Sequence, residues 1–202
     1  MKILIAVPTY ETIYPDTFKS IWDWDKCGHN CVFEFIRGYD VAAARNNISK
    51  KAIEIDADYV LMVDNDVVLP LDALKNLLES PKDVQLGYYA HRDKHNNVFD
   101  GRTIVFDVDY SHNFMVSDLN NLKEQGKYKV LIRGGGMGCA LIKTDVFRKM
   151  RFPYFVWVNF TDGKRECSED IYFCDQCKAL GIQVYTDTRV NCGHIFRYIQ
   201  TC

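Results

Sequence analysis

The run of five apolar residues from Tyr59 to Val63, in the segment YVLMVDNDVVLP, constrains the fold of this chain most strongly. It contains no alternating polar positions, which is typical of a strand that is covered on both faces in a parallel sheet. Asp64 and Asp66 follow the run directly. We therefore expect an α/β protein with helices on both faces of a mostly parallel central sheet.

The neighbouring segments extend this run into a β-α-β-α-β succession. The expected strands are KILIAVPTY, YVLMVD and VQLGYYA, and the expected helices are VAAARNNISKKAIEID and LPLDALKNLLES. Helical periodicity predicts two inward faces, Val41, Ala44, Ile48, Ala52 and Ile55 on the first helix and Leu71, Leu74, Leu77 and Leu78 on the second.

The second half of the chain is less regular. TIVFDVDY is a strand candidate, and residues 111–129 are expected to be loop with one short helix. KVLIRGGGMGCALIKTDVFRKM predicts two strands and a helix joined through three consecutive glycines, and the helix SEDIYFCDQCKALG and the strand IQVYTDT follow. Because no repeat or linker divides the chain, residues 1–202 are expected to form a single domain.

Composition excludes several classes of function. A formal net charge of -2 offers no basic surface for nucleic acid. No apolar run is long enough to cross a membrane and no cleavable leader is evident, so we expect a cytoplasmic protein without a transmembrane segment. The eight cysteines are scattered, and the C-x-x-C formed by Cys174 and Cys177 lies inside an expected helix, which favours reduced thiols over a zinc or redox site.

The spacing of Asp64 and Asp66 is not informative by itself, because three other pairs share it: Asp23/Asp25, Asp56/Asp58 and Asp107/Asp109. The position is informative, since ligands bind at the carboxyl ends of the strands in open α/β sheets. Two carboxylates at such an exit could hold Mg²⁺ or Mn²⁺ on a diphosphate. The alternative is a strand end whose aspartates cap the next turn. Asp23 falls in a Trp-rich segment expected to be loop, and Asp107/Asp109 is the competing pair.

An ordered set of motifs distinguishes these alternatives. AVPTY, AAARN, VLMVDNDV, GGGMGCALIKTDVF, SEDIYFC and CGH occur in the order seen in GT-A-fold glycosyltransferases. The chain resembles in particular the small bacterial and viral enzymes of glycosyltransferase family 2. The resemblance covers most of the chain and is weakest over residues 96–128.

This resemblance implies a nucleotide-sugar donor, with UDP the expected nucleotide, and a set of site residues. Residues expected to contact the donor are Pro8, Thr9, Tyr10, Glu11, Arg45, Asp64, Asn65, Gly135 and Gly136. Residues expected to hold Mn²⁺ or Mg²⁺ are Asp64, Asp66 and His194. Asp170 is the expected general base, with Glu169 as the fallback, and Ser168 is a candidate N-cap for their helix.

The expected reaction is transfer of a sugar to a glycan or other hydroxyl acceptor with inversion. Trp157, Phe155 and Tyr154 could form an apolar platform for an acceptor sugar. A further domain or a partner could instead supply the acceptor site. Two alternatives stay open: a nucleotidyltransferase on a related fold, and a noncatalytic module that binds nucleotide sugars.

Overall fold

The structure is a computed structural model, and it describes residues 1–91, 101–109, 112–159 and 166–195. The helices in these ranges are α1 (Pro15–Trp22), α2 (Val41–Glu54), α3 (Ala73–Leu78), α4 (Val116–Glu124), α5 (Thr144–Lys149) and α6 (Glu169–Ala179). The strands are β1 (Lys2–Pro8), β2 (Asn30–Ile36), β3 (Tyr59–Val63), β4 (Val67–Val68), β5 (Val84–Tyr88), β6 (Arg102–Phe106), β7 (Asn113–Met115), β8 (Lys129–Ile132), β9 (Gly134–Gly135), β10 (Cys139–Lys143), β11 (Val158–Asn159), β12 (Glu166–Cys167), β13 (Val184–Asn191) and β14 (Gly193–His194).

Within the described ranges, the central sheet has seven strands in the order β2-β1-β3-β10-β5-β13-β8. Strand β1 pairs in parallel with β2 and β3, and β5 pairs in parallel with β13. Strands β10 and β8 run antiparallel to their neighbours. The predicted α/β class with a mostly parallel sheet is confirmed.

Strand β3 is buried at all of its positions, as its apolar run predicts. Its neighbour β10 is nevertheless antiparallel, so the burial arises from layers on both faces and not from parallel neighbours alone. Val60 and Met62 pack into one hydrophobic cluster with α2, α5 and α6. Leu61 and Val63 pack into the other with α1 and α3. Three layers therefore enclose the strand exit that carries the aspartates.

The largest elements that were not predicted are α1 and β2. The segment before Asp23 contains α1, which begins at Pro15, a residue suited to the first helical turn. Strand β2 at the sheet edge was also missed, because its sequence NCVFEFI is only half-buried and lacks a continuous apolar run. Of the predicted inward leucines, Leu74 and Leu77 are buried, but Leu71 lies before α3 and is 71% exposed.

The later elements agree with their predictions in type. The short helix expected in residues 111–129 is α4, and the strand expected over 103–110 is β6, which ends at Phe106; residues 110 and 111 lie outside the described ranges. The C-x-x-C lies within α6, and burial raises the pKa of Cys174 to about 12, which disfavours a metal-binding thiolate. The described cysteines are free, and Cys202 lies outside the described residues. In the described part of the chain, no helix is long and apolar enough to span a membrane.

Candidate active site

A cavity of about 410 Å³ opens at the carboxyl ends of β1 and β3. Because these strands are parallel neighbours, the segments that follow them meet at one edge of the sheet. The segment after β1 and the segment after β3 both line the cavity: Pro8, Thr9, Tyr10, Asp64, Asn65 and Asp66. Glu11, expected with the same group, is exposed and does not line it.

Hydrogen bonds hold the two segments together. The Thr9 hydroxyl donates to the carbonyl of Thr12 at 2.9 Å, and the Asn65 side-chain amide donates to the same carbonyl at 2.9 Å. The backbone N–H of Tyr14 in turn donates to the Asn65 carbonyl at 3.1 Å. Asn65 therefore supports the cavity wall. Tyr10 is 71% exposed at the rim, where its ring is available for stacking.

The opposite wall comes from the turn between β2 and α2, which sequence reasoning missed. Gly38, Tyr39 and Asp40 line the cavity there. A Cβ on Gly38 would lie 2.3 Å from the backbone nitrogen of Ala44, so only glycine permits the turn to lie against the helix. Asp40 caps α2 by accepting from the backbone N–H of Ala43 at 2.7 Å. A Gly followed by a capping Asp before a helical pattern is the sequence signal that could have found this wall.

Arg45 is the centre of a buried ion cluster. Its guanidinium donates to both carboxylate oxygens of Asp64, at 2.8 and 3.0 Å, and also to Glu169 and Asp170. Its side chain is 2% exposed, and it does not line the described cavity. Arg45 is expected beside the nucleotide, and in the structure it links the β3 exit to the α6 N-terminus.

One guanidinium faces three carboxylates, so the cluster is short of positive charge. Burial raises the pKa of Asp170 to about 8, and the charges of Glu169 and Asp64 add to this increase while Arg45 opposes it. Nε of Arg45 and Oε2 of Glu169 are both buried without a hydrogen-bond partner in the described structure. Asp170 is therefore a carboxyl group that can take up or release a proton near neutral pH, as a general base requires.

The start of α6 places the two acids differently. Ser168 caps the helix, as predicted, by accepting from the backbone N–H of Ile171. The side chain of Glu169 is 4% exposed, whereas that of Asp170 is 18% exposed. Because a base must reach its substrate, the more accessible Asp170 is better placed than Glu169.

Asp66 and His194 form a second polar group beside the cavity. His194 lies in β14, which pairs with β4, the strand that begins directly after Asp66. Nε2 of His194 is 3.6 Å from Oδ2 of Asp66. Its Nδ1 is 3.1 Å from the carbonyl of Ala90. A carbonyl can only accept, so Nδ1 carries a proton, and Nε2 is the ring nitrogen that faces Asp66.

This donor pair fits a divalent cation, but the predicted set of three is not assembled. Two ligand atoms that each lie about 2.1 Å from one ion are about 3.0–3.6 Å apart when the angle at the ion is about 90–120°. The 3.6 Å between Nε2 of His194 and Oδ2 of Asp66 falls in this range. Arg45, however, engages both oxygens of Asp64. In the described ranges, no group of three or more His, Cys, Asp or Glu side chains is arranged to hold a metal ion.

Gly135 and Gly136, expected to contact the donor, lie in a tightly packed segment. Gly134 and Gly135 form β9, paired with β6, and neither these two nor Gly136 has a positive φ. A Cβ on Gly136 would lie 2.7 Å from the Tyr89 hydroxyl, and a Cβ on Gly135 would lie 3.0 Å from the Ile104 carbonyl oxygen. Neither Gly135 nor Gly136 lines the described cavity.

Gly138 is the glycine that contacts the candidate site, and sequence reasoning missed it. A Cβ there would lie 2.5 Å from the Tyr89 hydroxyl and 3.0 Å from Oδ2 of Asp64. Its N–H donates to that hydroxyl at 3.2 Å, and its carbonyl accepts from the Asp64 N–H at 3.0 Å. Tyr89 also packs edge-on against the His194 ring, with centroids 4.9 Å apart.

The competing pair lies elsewhere. Asp107 follows β6, and its Oδ2 lies 3.0 Å from Nδ1 of His112. Neither Asp107 nor Asp109 lines the described cavity.

Solved structures share this fold. A197 from STIV has a TM-score of 0.66 at 19% identity, over 98% of this chain and 87% of that chain. GalNAc-T7, solved with UDP, GalNAc and Mn²⁺, has a TM-score of 0.61 at 9% identity, over 97% of this chain and 44% of that chain. TarS 1-349 of S. aureus, solved with UDP-GlcNAc, has a TM-score of 0.53 at 14% identity, over 98% of this chain and 60% of that chain. No family model and no curated protein matches the sequence. The chain has the GT-A-like fold that its motifs predict.

Proposed function

We propose that this GT-A-fold chain is a glycosyltransferase that moves a sugar from a nucleotide diphosphate, UDP in the first instance, to a hydroxyl acceptor. The observation that carries the proposal is the convergence of an aspartate pair, a buried acid pair and a strand-exit cavity on one edge of the sheet. The UDP-bound GalNAc-T7 and the UDP-GlcNAc-bound TarS, which share the fold, support UDP as the first donor to test.

The donor nucleotide occupies the cavity between the β1 exit and the Gly38–Asp40 turn. Tyr10 and Tyr39, both strongly exposed at its rim, supply aromatic faces for the base. Thr9 and Asp40 supply oxygen acceptors for ribose hydroxyls. The diphosphate then lies toward Asp64 and Asp66, which line the same cavity.

Asp66 and His194 hold a divalent cation, with the carboxylate of Asp64 close by. Mn²⁺ matches this mixed oxygen and nitrogen donor set, and Mg²⁺ is the oxygen-preferring alternative. When bound there, the ion would supply positive charge that stabilises the departing nucleoside diphosphate. The hydrogen bond from His194 to the Ala90 carbonyl supports this role, because it holds the ring with Nε2 toward Asp66.

Asp170 removes the proton of the acceptor hydroxyl, and that oxygen attacks the donor carbon from the face opposite the leaving diphosphate, which inverts the configuration. The raised pKa of Asp170 favours this role because a base that titrates near neutral pH drives proton transfer most effectively. Glu169 and Arg45 act as positioning residues, since their side chains are 4% and 2% exposed, against 18% for Asp170.

A noncatalytic nucleotide-sugar-binding module is the second candidate, because Arg45 holds both Asp64 and Asp170 in ion pairs. The two candidates differ in turnover. A module binds the donor without releasing free nucleotide in the presence of any acceptor, whereas a transferase releases it.

Calorimetric titration with UDP-, GDP- and dTDP-sugars, with and without MnCl₂, tests donor binding, and nucleotide release tests turnover. We expect manganese-dependent binding of a UDP-sugar, lost in Asp66→Ala and retained in Asp107→Ala, whose residue belongs to the competing D-x-D pair. Asp170→Asn keeps donor binding and loses transfer. Failure of every nucleotide sugar to bind with manganese present would refute the proposal, and loss of binding in Asp107→Ala alone would assign the donor to the other pair.

A further inference from the structure

A second cavity, of about 550 Å³, adjoins the first. The two share the Gly38–Asp40 turn as a common rim. The first two turns of α2 form its floor, where Ala42 and Ala43 are small enough to leave space beside Asn46 and Asn47. A concave site next to a candidate donor cavity is where a second substrate must lie if the two are to react.

Three exposed aromatic rings surround this second cavity. Tyr39 is 88% exposed, Phe152 is 47% exposed and Trp157 is 45% exposed. Single exposed aromatic residues are ordinary, but several around one concavity mark a binding surface. Tyr154 and Phe155, which the sequence analysis grouped with Trp157, are instead core residues, 7% and 1% exposed.

The loop that carries two of these rings is held in place from beneath. The Asn46 side chain accepts from the backbone N–H groups of Tyr154 and Phe155, at 2.9 and 3.2 Å, and donates to the Phe155 carbonyl at 2.8 Å. Phe155 also stacks on Phe173 of α6, with centroids 4.8 Å apart. These contacts fix the backbone between Phe152 and Trp157, so the outward rings occupy defined positions.

The chain connects this loop to the candidate base. Trp157 immediately precedes β11, where Val158 pairs with Cys167 of β12. Cys167 lies three residues before Asp170 in the sequence. Asn46 is also adjacent in the sequence to Arg45, whose guanidinium binds Asp170. The β11–β12 pair and the adjacent residues Arg45 and Asn46 of α2 therefore link the loop that carries Trp157 to Asp170.

The chemistry of the lining selects an uncharged ligand with both an apolar and a polar face. Among the described lining residues, Asp40 carries the only charge, and it is negative, which disfavours phosphate or carboxylate ligands. Asp40 and Asn47 supply hydrogen-bonding groups beside the aromatic rings. A sugar ring matches this lining, since its C–H face packs on an aromatic ring and its hydroxyls bond to carboxylate and amide groups.

We propose that the second cavity is the acceptor subsite and that it takes an uncharged saccharide stacked on Trp157, with Tyr39 and Phe152 beside it. This inference rests on the proposed glycosyltransferase function and narrows its acceptor from any hydroxyl compound to a neutral sugar. Lys50, whose Nζ lies 3.9 Å from the Phe152 ring centroid, covers one face of that ring and supports it.

Saturation-transfer NMR with methyl glucoside, methyl galactoside, N-acetylglucosamine, N-acetylgalactosamine, mannose and glucuronate tests the subsite. We expect at least one neutral sugar to bind and glucuronate not to bind. Trp157→Ala should weaken that sugar about tenfold, the value of one aromatic contact, and Trp157→Tyr should restore most of the affinity. Trp22→Ala is the matched control, since Trp22 is 70% exposed and lines neither cavity.

A parallel titration with UDP-sugar and MnCl₂ separates failure of this inference from failure of the proposed function. Two results would overturn the acceptor subsite alone, provided that the protein still binds the UDP-sugar. In the first, no sugar binds; in the second, Trp157→Ala binds the sugar as tightly as the parent protein does. If sugar binds at Trp157 but no nucleotide sugar binds to the protein, the proposed glycosyltransferase function is wrong, and so is the acceptor role of the second cavity. A thermal unfolding midpoint within error of the parent for Trp157→Ala shows that the variant is folded.

Discussion

Replacing Arg45 by methionine should strongly destabilise the protein, because it leaves three mostly buried carboxylates without their cation. Asp64, Glu169 and Asp170 are 24%, 4% and 18% exposed at the side chain, so water cannot compensate for the loss. Removing one partner from a buried ion cluster costs about 3–5 kcal/mol. With a urea m-value of about 2 kcal/mol/M, the unfolding midpoint should fall by about 2 M.

The pH dependence supplies the diagnostic result. Arg45 opposes the increase in the pKa of Asp170, so without the guanidinium that pKa rises further above its unfolded value; the folded state then binds more protons and stability falls as pH rises. The cost of Arg45→Met should therefore be greater at pH 8 than at pH 5. Urea unfolding followed by tryptophan fluorescence across this range measures it.

Arg148→Met is the matched control, because Arg148 also pairs with two carboxylates, those of Asp56 and Asp145, but its side chain is 38% exposed. Its unfolding midpoint should hardly change, as is usual for surface ion pairs. Neutralising the three acids of the Arg45→Met variant with Asp64→Asn, Glu169→Gln and Asp170→Asn should recover part of the lost stability. An Arg45→Met cost no larger than that of Arg148→Met, or one independent of pH, would refute the buried-cluster argument.

Three further perturbations test other parts of the site. Because the pKa of Asp170 in the folded state is raised to about 8, the stability of the parent protein should fall from about pH 4 to pH 8. Asp170→Asn should flatten this pH dependence in urea titrations. An unchanged pH dependence in the variant would contradict the raised pKa of Asp170. Gly138→Ala should lower the free energy of unfolding by about 1–3 kcal/mol, because the added Cβ overlaps the Tyr89 hydroxyl. Adding Tyr89→Phe removes that hydroxyl and should recover part of the lost stability. Equal stability of the single and double variants in thermal unfolding would contradict this explanation. Asn46→Ala should lower the free energy of unfolding by about 1–3 kcal/mol, because it leaves buried backbone groups of the Phe152–Trp157 loop unpaired. Amide hydrogen exchange at Phe155 should accelerate in this variant. Unaltered exchange would show that other contacts hold the loop.

Local sequence patterns specify the class of fold and the edge of the sheet that carries the polar residues. The continuous apolar run of β3 demands burial on both faces, and the aspartates follow it because the strand ends there. The Ser168 cap and the inward face of α2 are similarly local, since helical periodicity and capping depend on residues within a few positions of one another. Strand β2 and helix α1 were missed because their packing depends on neighbours distant in sequence, and because α1 is only eight residues long.

Contacts between segments far apart in the sequence establish which side chains meet at that edge. Arg45 and Asp170 are separated by 125 positions in the sequence, yet they form one ion pair, and no local pattern assigns a buried guanidinium to three acids from two other segments. The same holds for Gly138, where the Tyr89 hydroxyl and the Asp64 carboxylate leave no space for a Cβ. Helix caps and amphipathic periodicity follow from interactions between near neighbours in the chain, whereas the charge balance of the site and the shape of its cavities arise from contacts that exist only after the layers have packed.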